Sequence, residues 1–239
     1  MEPVTSTKPC ALIVAHGQPS DPAPAEAALR KLAARVNHHL PGWAIGSATM
    51  AARGALQRAR LQYPGAPIYP LFMADGWFTG TALPEQLEES DWRYLLPPLG
   101  MDQRLPALAV EILTRELMAK DWQMSRTCLI IAAHGGQTSA NPAKVAQNFA
   151  DAIRSISDFG DIRLGFIEEQ PELSSITANA GERAICLPFF AANGRHVRHD
   201  IPVALSKAEF QGVILDAIGH AAQIPGLIAQ SLKQAITTP

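Results

Sequence analysis

Two histidines and a pair of carboxylates stand just beyond three apolar runs in the second half of this sequence. His134 follows "CLIIAA", His196 follows "LPFFAANGR", and Glu168 with Glu169 closes "DIRLGFIEE". Imidazole nitrogen and carboxylate oxygen suit a divalent first-row ion such as cobalt, iron, nickel or zinc, so His134, His196 and Glu168 form a candidate metal set. Taken alone, a histidine before glycine after a strand is equally a turn residue whose ring caps a backbone group. The pair Gly135 and Gly136 adds a second reason to expect a ligand here. Glycine lets backbone approach a bound molecule closely and leaves amide groups available to it.

The loop around His196 is also charged. Arg195, Arg198 and His199 crowd together in a chain whose 20 basic and 22 acidic side chains leave a formal charge of −2. Such a patch beside a metal set suits carboxylates, which arginine binds bidentately, and would steer a polyanionic small molecule. The plainer alternative is that Arg198 and Asp200 form a solvated surface pair that contributes little. His38, His39 and His220 have no clustered partners and receive no role.

The elements that must position these groups occur twice. "CALIVAHGQ" from Cys10 and "CLIIAAHGG" from Cys128 superpose with a separation of 118 positions, which places His16 under His134. The same separation carries Pro70, Phe72, Gly76 and Pro84 onto Pro188, Phe190, Gly194 and Pro202, and one inserted residue later Gly100 matches Gly219. The repeat implies two tandem lobes, 1–120 and 121–239. In the first copy Phe78 stands where His196 stands in the second, and an ungapped count sets Met50 opposite Glu168. That copy therefore lacks the polar set, and its His16 is left with structural or substrate-contact duty.

Each copy reads as strand, helix, strand, helix, strand, loop, helix, short strand, helix. Short continuous apolar runs such as "ALIVA" and "LIIAA" suit parallel strands covered on both faces. "AEAALRKLAARVNHHL" and "PAKVAQNFADAIRSI" carry apolar residues at helical spacing. The expected fold is α/β, each lobe a parallel four-stranded sheet with flanking helices, and ligands bind beyond the carboxyl ends of such strands. His16, His134 and the His196 loop all fall at such ends.

Composition narrows the function classes. A pI near 6.4 gives no field to hold nucleic acid or an anionic membrane. "MEPVTSTKPC" lacks a secretory signal and no apolar run reaches the length of a span, so the expected address is cytoplasmic. Cys10, Cys128 and Cys186 show no CxxC spacing and are expected as buried thiols. Neither a P-loop nor GxGxxG follows any strand, and no GxSxG elbow accompanies the "HGG". A histidine phosphatase would want arginine before its strand-end histidine, where Ala133 stands.

"IIAAHGG", "GFIEEQP" and "LPFFAANGRHVRHDIP", together with the duplication, resemble the class II tetrapyrrole chelatases, the sirohydrochlorin cobaltochelatases and ferrochelatases of cobalamin and sirohaem synthesis. The resemblance covers nearly the whole chain. It implies two chelatase-like lobes with a cleft between them, and a metal chelatase (a lyase) that inserts a divalent ion into a sirohydrochlorin-type tetrapyrrole. Cobalt is the first choice, with iron or nickel as alternatives. No permanently bound cofactor is implied, since the ion is a substrate. His134 and His196 would receive the metal and help remove pyrrole protons, assisted by Glu168. Arg195, Arg198 and His199 would hold peripheral carboxylates, with His16, Gly135 and Gly136 as further contacts. Trp77 and Phe78, with Phe72, Phe189 and Phe190, would offer apolar walls to the ring. Coordination needs neutral imidazole, so activity should fall on acidification. Serine commonly follows the first "HG" in this family, whereas Gln18 and Gly136 stand here, and the complete histidine pair lies in the second lobe rather than the first. Those departures keep open a non-catalytic metal or tetrapyrrole carrier of the same fold. The chain would act as a monomer or homodimer without nucleic acid or membrane partners.

Overall fold

The computed structural model describes residues 8–88, 91, 94–136 and 141–237; the first seven residues, on which the absence of a secretory signal was read, lie outside them. The chain divides into two compact units.

In the first unit, strands β1 (Cys10–Ala15), β2 (Ala44–Thr49) and β3 (Ile68–Pro70) form a parallel sheet in the order β2-β1-β3. Helix α1 (Pro22–His39) follows β1 and α2 (Ala55–Gln62) follows β2. Leu12 and Val14 point to the α2 side, where they pack with Leu56, Ala59 and Ile68. The alternate residues Ala11 and Ile13 are fully buried as well. A strand buried on both faces has no polar face to show, which is why "ALIVA" is apolar throughout.

In the second unit, β4 (Cys128–Ala133), β5 (Asp161–Phe166), β6 (Ala184–Pro188) and β7 (Val213–Ile214) form a parallel sheet in the order β5-β4-β6-β7. Helices α3 (Leu105–Ala119), α4 (Asn141–Ile156), α5 (Leu173–Thr177) and α6 (Ile201–Lys207) belong to the same unit. Ile130, Ala132 and Cys186 pack against α5 and α6 through Leu173, Ile201 and Leu205. Helix α3 buries Leu105, Ala109, Leu113 and Leu117, a four-residue stripe, and packs on α4, which buries Val145, Phe149 and Ile153. The last helix, α7 (Ile224–Thr237), packs on α1 of the first unit.

The compact units therefore do not follow the two sequence copies end to end. One collects the described residues through Phe72 with Trp77–Pro98 and those from Gln223 on; the other collects Met73–Gly76 and Leu99–Ala222. Each unit takes its last helix from the opposite copy. Helices α3 and α7 are equivalent by repeat, and no pattern within either sequence says which partner it will meet.

Two further expectations are corrected. Among the described residues the first unit has three strands, not four: the place of β7 is held by a single bridge between Ile68 and Leu95. Ile68 N donates to Tyr94 O and Leu96 N donates to Ile68 O, and then Pro97 and Pro98 end the ladder because neither has an N–H to donate. The ungapped repeat is also broken. Ala15 pairs with Thr49, whereas Ala133 pairs with Phe166, a separation one residue shorter than that between Ile68 and Cys186. The second copy reaches β5 one residue sooner and regains it before β6. Glu168, whose N–H donates to His134 O, thus overlies Ala51, whose N–H donates to His16 O, and not Met50.

The repeated glycines have a physical cause. A Cβ on Gly100 would lie 1.8 Å from the Met73 carbonyl oxygen, and one on Gly219 would lie 2.2 Å from that of Ala191, the equivalent contact in the other copy. Two backbones cross too closely there for any side chain.

Candidate metal centre

His134 leaves the carboxyl end of β4 into a turn that glycine makes possible. Gly135 has φ +81°, and a Cβ there would lie 2.7 Å from Glu169 Cγ. His134 Nδ1 lies 3.0 Å from Gly135 O; a carbonyl only accepts, so Nδ1 carries the hydrogen and Nε2 keeps its lone pair. Glu169 braces this turn, accepting the Gly136 N–H at 3.2 Å. The amide of Gly136, expected from the sequence to be available to a ligand, is thus already in use.

Glu168, one residue before, points the other way. Its Oε1 lies 3.6 Å from His134 Nε2. His196 opens a wide, π-type turn, His196–Asp200, that leads into α6 and closes with Ile201 N donating to His196 O. The rings of His134 and His196 stand edge to face with centroids 4.6 Å apart, and Phe190 flanks both, at 6.5 and 6.0 Å. One donor atom from each of His134, Glu168 and His196 lies within 4.8 Å of the others. Donors bound to one ion at about 2.0–2.2 Å stand about 3.4 Å apart in a tetrahedral shell and at most about 4.4 Å apart when opposed, so the widest pair would close by about 0.4–1.4 Å. The three side chains are 36–42% exposed and have room to do so.

The alternative of a surface pair between Asp200 and Arg198 is not what the structure shows. Among the described residues Asp200 accepts hydrogen bonds instead from His196 Nδ1 at 2.8 Å through Oδ2 and from His199 Nδ1 at 2.8 Å through Oδ1. The hydrogen bond from His199 is the largest influence holding its carboxyl below the usual carboxylate range; partial burial opposes it, and His196 and the charge of Arg195 act in the same sense as His199. Arg195, Arg198 and His199 are exposed around this turn.

In the first unit the same framework holds apolar rings. His16 Nδ1 bonds Gly17 O at 2.9 Å as His134 does its own neighbour, but the turn Phe78–Ala82 puts Phe78 over it with centroids 4.3 Å apart. Phe72 and Trp77 flank Phe78 at 6.1 and 5.1 Å. Trp77 is 61% exposed and Phe78 39%, whereas Phe189, expected as a wall of the site, is buried against Phe149. A strand-end phenylalanine points to the core or to the site by its parity along the strand, and Phe189 and Phe190 fall on opposite sides. The sequence reading missed the orientation of His196 by Asp200; the spacing of four residues in a helical turn was the available signal.

Comparison with known proteins concerns the chain as a whole. The sequence model of the CbiX family matches residues 128–235, the copy that carries His134, Glu168 and His196. A protein of Halobacterium salinarum described as "Probable sirohydrochlorin cobaltochelatase" is 24% identical over 165 residues, a stretch that spans 56% of this chain and about half, 55%, of that relative. Among solved structures, SirB from Bacillus subtilis subspecies spizizenii in complex with cobalt is 12% identical and shares the fold, with a TM-score of 0.69 over 98% of this chain and 97% of that one. A CbiX described as "the terminal Enzyme for Biosynthesis of Siroheme in Denitrifying Bacteria" superposes with a TM-score of 0.86. With 42% identity to it, held over 95% of this chain and 99% of that one, the sequence belongs to the CbiX family of class II sirohydrochlorin chelatases.

Proposed function

We propose that this chain inserts a divalent first-row ion, cobalt or iron, into a sirohydrochlorin-type tetrapyrrole, using His134, His196 and Glu168 to receive the ion. The observation that carries this reading is the convergence of two imidazoles and a carboxylate within 4.8 Å at three strand ends. Three protein donors leave coordination positions open, the arrangement of catalytic rather than structural sites. Pyrrole nitrogens would fill those positions as they displace protein ligands. The ring enters with two N–H groups and leaves as a dianion around the ion, so two protons must be taken up, and imidazole or carboxylate released from the metal is a suitable base. Arg195, Arg198 and His199 would pair with the carboxylates of the substrate rim. Trp77 and Phe78, exposed in the first unit, would offer apolar surface to a flat ring, and His16 would support Phe78 rather than bind an ion.

Cobalt and iron both accept imidazole and carboxylate, so the donor set does not choose between them. The named relatives divide in the same way, one described as a "Probable sirohydrochlorin cobaltochelatase" and one as an enzyme of sirohaem synthesis. The test is to mix purified protein with sirohydrochlorin and Co²⁺ or anaerobic Fe²⁺ and follow the visible spectrum. Wild type should convert the ring; His196→Ala and His134→Ala should not, while keeping their folds. Metal binding without conversion by wild type would make the protein a carrier, and conversion by the variants at the wild-type rate would remove the histidines from the mechanism.

A further inference from the structure

Of the two imidazoles, His134 is oriented by backbone, through Gly135 O, and His196 by a side chain, through Asp200. The Asp200 carboxylate can only accept, so each histidine that bonds it does so as a donor through Nδ1. For His196 this leaves Nε2 with its lone pair, the form that coordinates. The two oxygens are divided one to each ring, both at 2.8 Å, so His199 pins the carboxylate from the solvent side while Oδ2 serves His196. The equivalent residue in the first unit's turn is Ala82, and the ring there is Phe78, which needs no such partner.

We propose that Asp200 is a positioning residue of the metal site: it fixes the tautomer and the angle of His196 so that Nε2 faces His134 and Glu168. The inference rests on the chelatase reading for the use of the site, but its geometry stands without it. Carboxylates that hold a ligating histidine from behind raise its basicity and restrict its rotation, and their loss commonly weakens metal binding 10–100-fold.

The test uses the full chain without tetrapyrrole. In the metal-free protein above pH 8, ¹⁵N NMR of the His196 ring should report Nδ1 protonated and Nε2 bare in wild type. Asp200→Ala, and Asp200→Leu as a near-isosteric second variant should alanine fail to fold, should shift the ring toward the Nε2–H form. The same variants should weaken Co²⁺ binding about 10–100-fold by titration. His199→Ala should leave the His196 tautomer unchanged, because Oδ2 remains. A folded Asp200 variant that keeps either the Nδ1–H form or a Co²⁺ Kd within about twofold of wild type would overturn the proposal. Failure of wild type to metallate sirohydrochlorin, with these shifts present, would instead sink the chelatase reading and leave the positioning role in place.

Discussion

His16 and His134 make the same backbone bond at the same strand end, and what separates them is the residue that each ring meets. Against Phe78 the imidazole is an edge-on packing partner; against His196, with Glu168 beside it, it is one of three donors. The strand register makes this difference reversible. Phe78→His with Ala51→Glu should give the first unit a donor set of its own, and Co²⁺ titration should then approach two ions per chain. Phe78→His with Met50→Glu, the pairing that an ungapped count suggests, should stay at one. The new site should bind more weakly than the native one, because Ala82 supplies no carboxylate behind the introduced ring. The cysteines permit a second prediction at this scale. Burial pushes the Cys186 thiol up to about 12 and, more than the opposing Arg163 charge, the Cys128 thiol up to about 11. Both should resist a thiolate-directed reagent at pH 8 while Cys10, only partly buried, reacts first. The sign of the linked effect is set by the neutral thiols of the folded state. Their contribution to stability is whole below the ordinary thiol range and is lost as pH rises toward 11–12, so alkaline unfolding should release two slow thiols together.

The strands and turns are short, and their close contacts carry much of the specification. "LPFFAANG" and "YPLFMADG" end in the same way because each must bring a backbone against a glycine of the next loop, Ala191 against Gly219 and Met73 against Gly100. Gly219→Ala should therefore cost about 1–3 kcal/mol, read as a lower midpoint in urea with an unchanged slope, because a carbonyl must move to admit the methyl group. Gly194→Ala, at an open position of the neighbouring turn, should be nearly neutral. The same logic shows where pattern suggested a strand that the described residues do not form. "RYLLPPLG" carries the apolar residues of a fourth strand, yet Pro97 and Pro98 stop the ladder after two hydrogen bonds, whereas "GVILDA" continues to Leu215 N bonding Cys186 O.

Across the whole molecule, two cores form from two copies that have exchanged their closing helices. Helix α7 lies on α1, and α3 lies on α4. Removal of residues 223–239 should thus damage the unit farther away in sequence. Amide exchange should speed up in α1 and β2 while α4 and β4 keep their protection, and the reverse pattern would contradict the exchange. The amino-acid order alone was enough to reveal the duplication, the alternation of strand and helix, and which copy holds imidazole and carboxylate at its strand ends. Those features are local: an apolar run, a helical spacing and a residue type need only a few neighbours to be legible. Folding decided the rest. Asp200 turned from Arg198 to two histidines, Glu169 took the Gly136 amide, Ala51 rather than Met50 came to underlie Glu168, and each closing helix docked on the other copy's unit. Each of these depends on a pairing between segments that lie apart in sequence or on a choice among nearby donors. Equivalent helices and adjacent carboxylates differ too little in composition to reveal their partners before packing selects them.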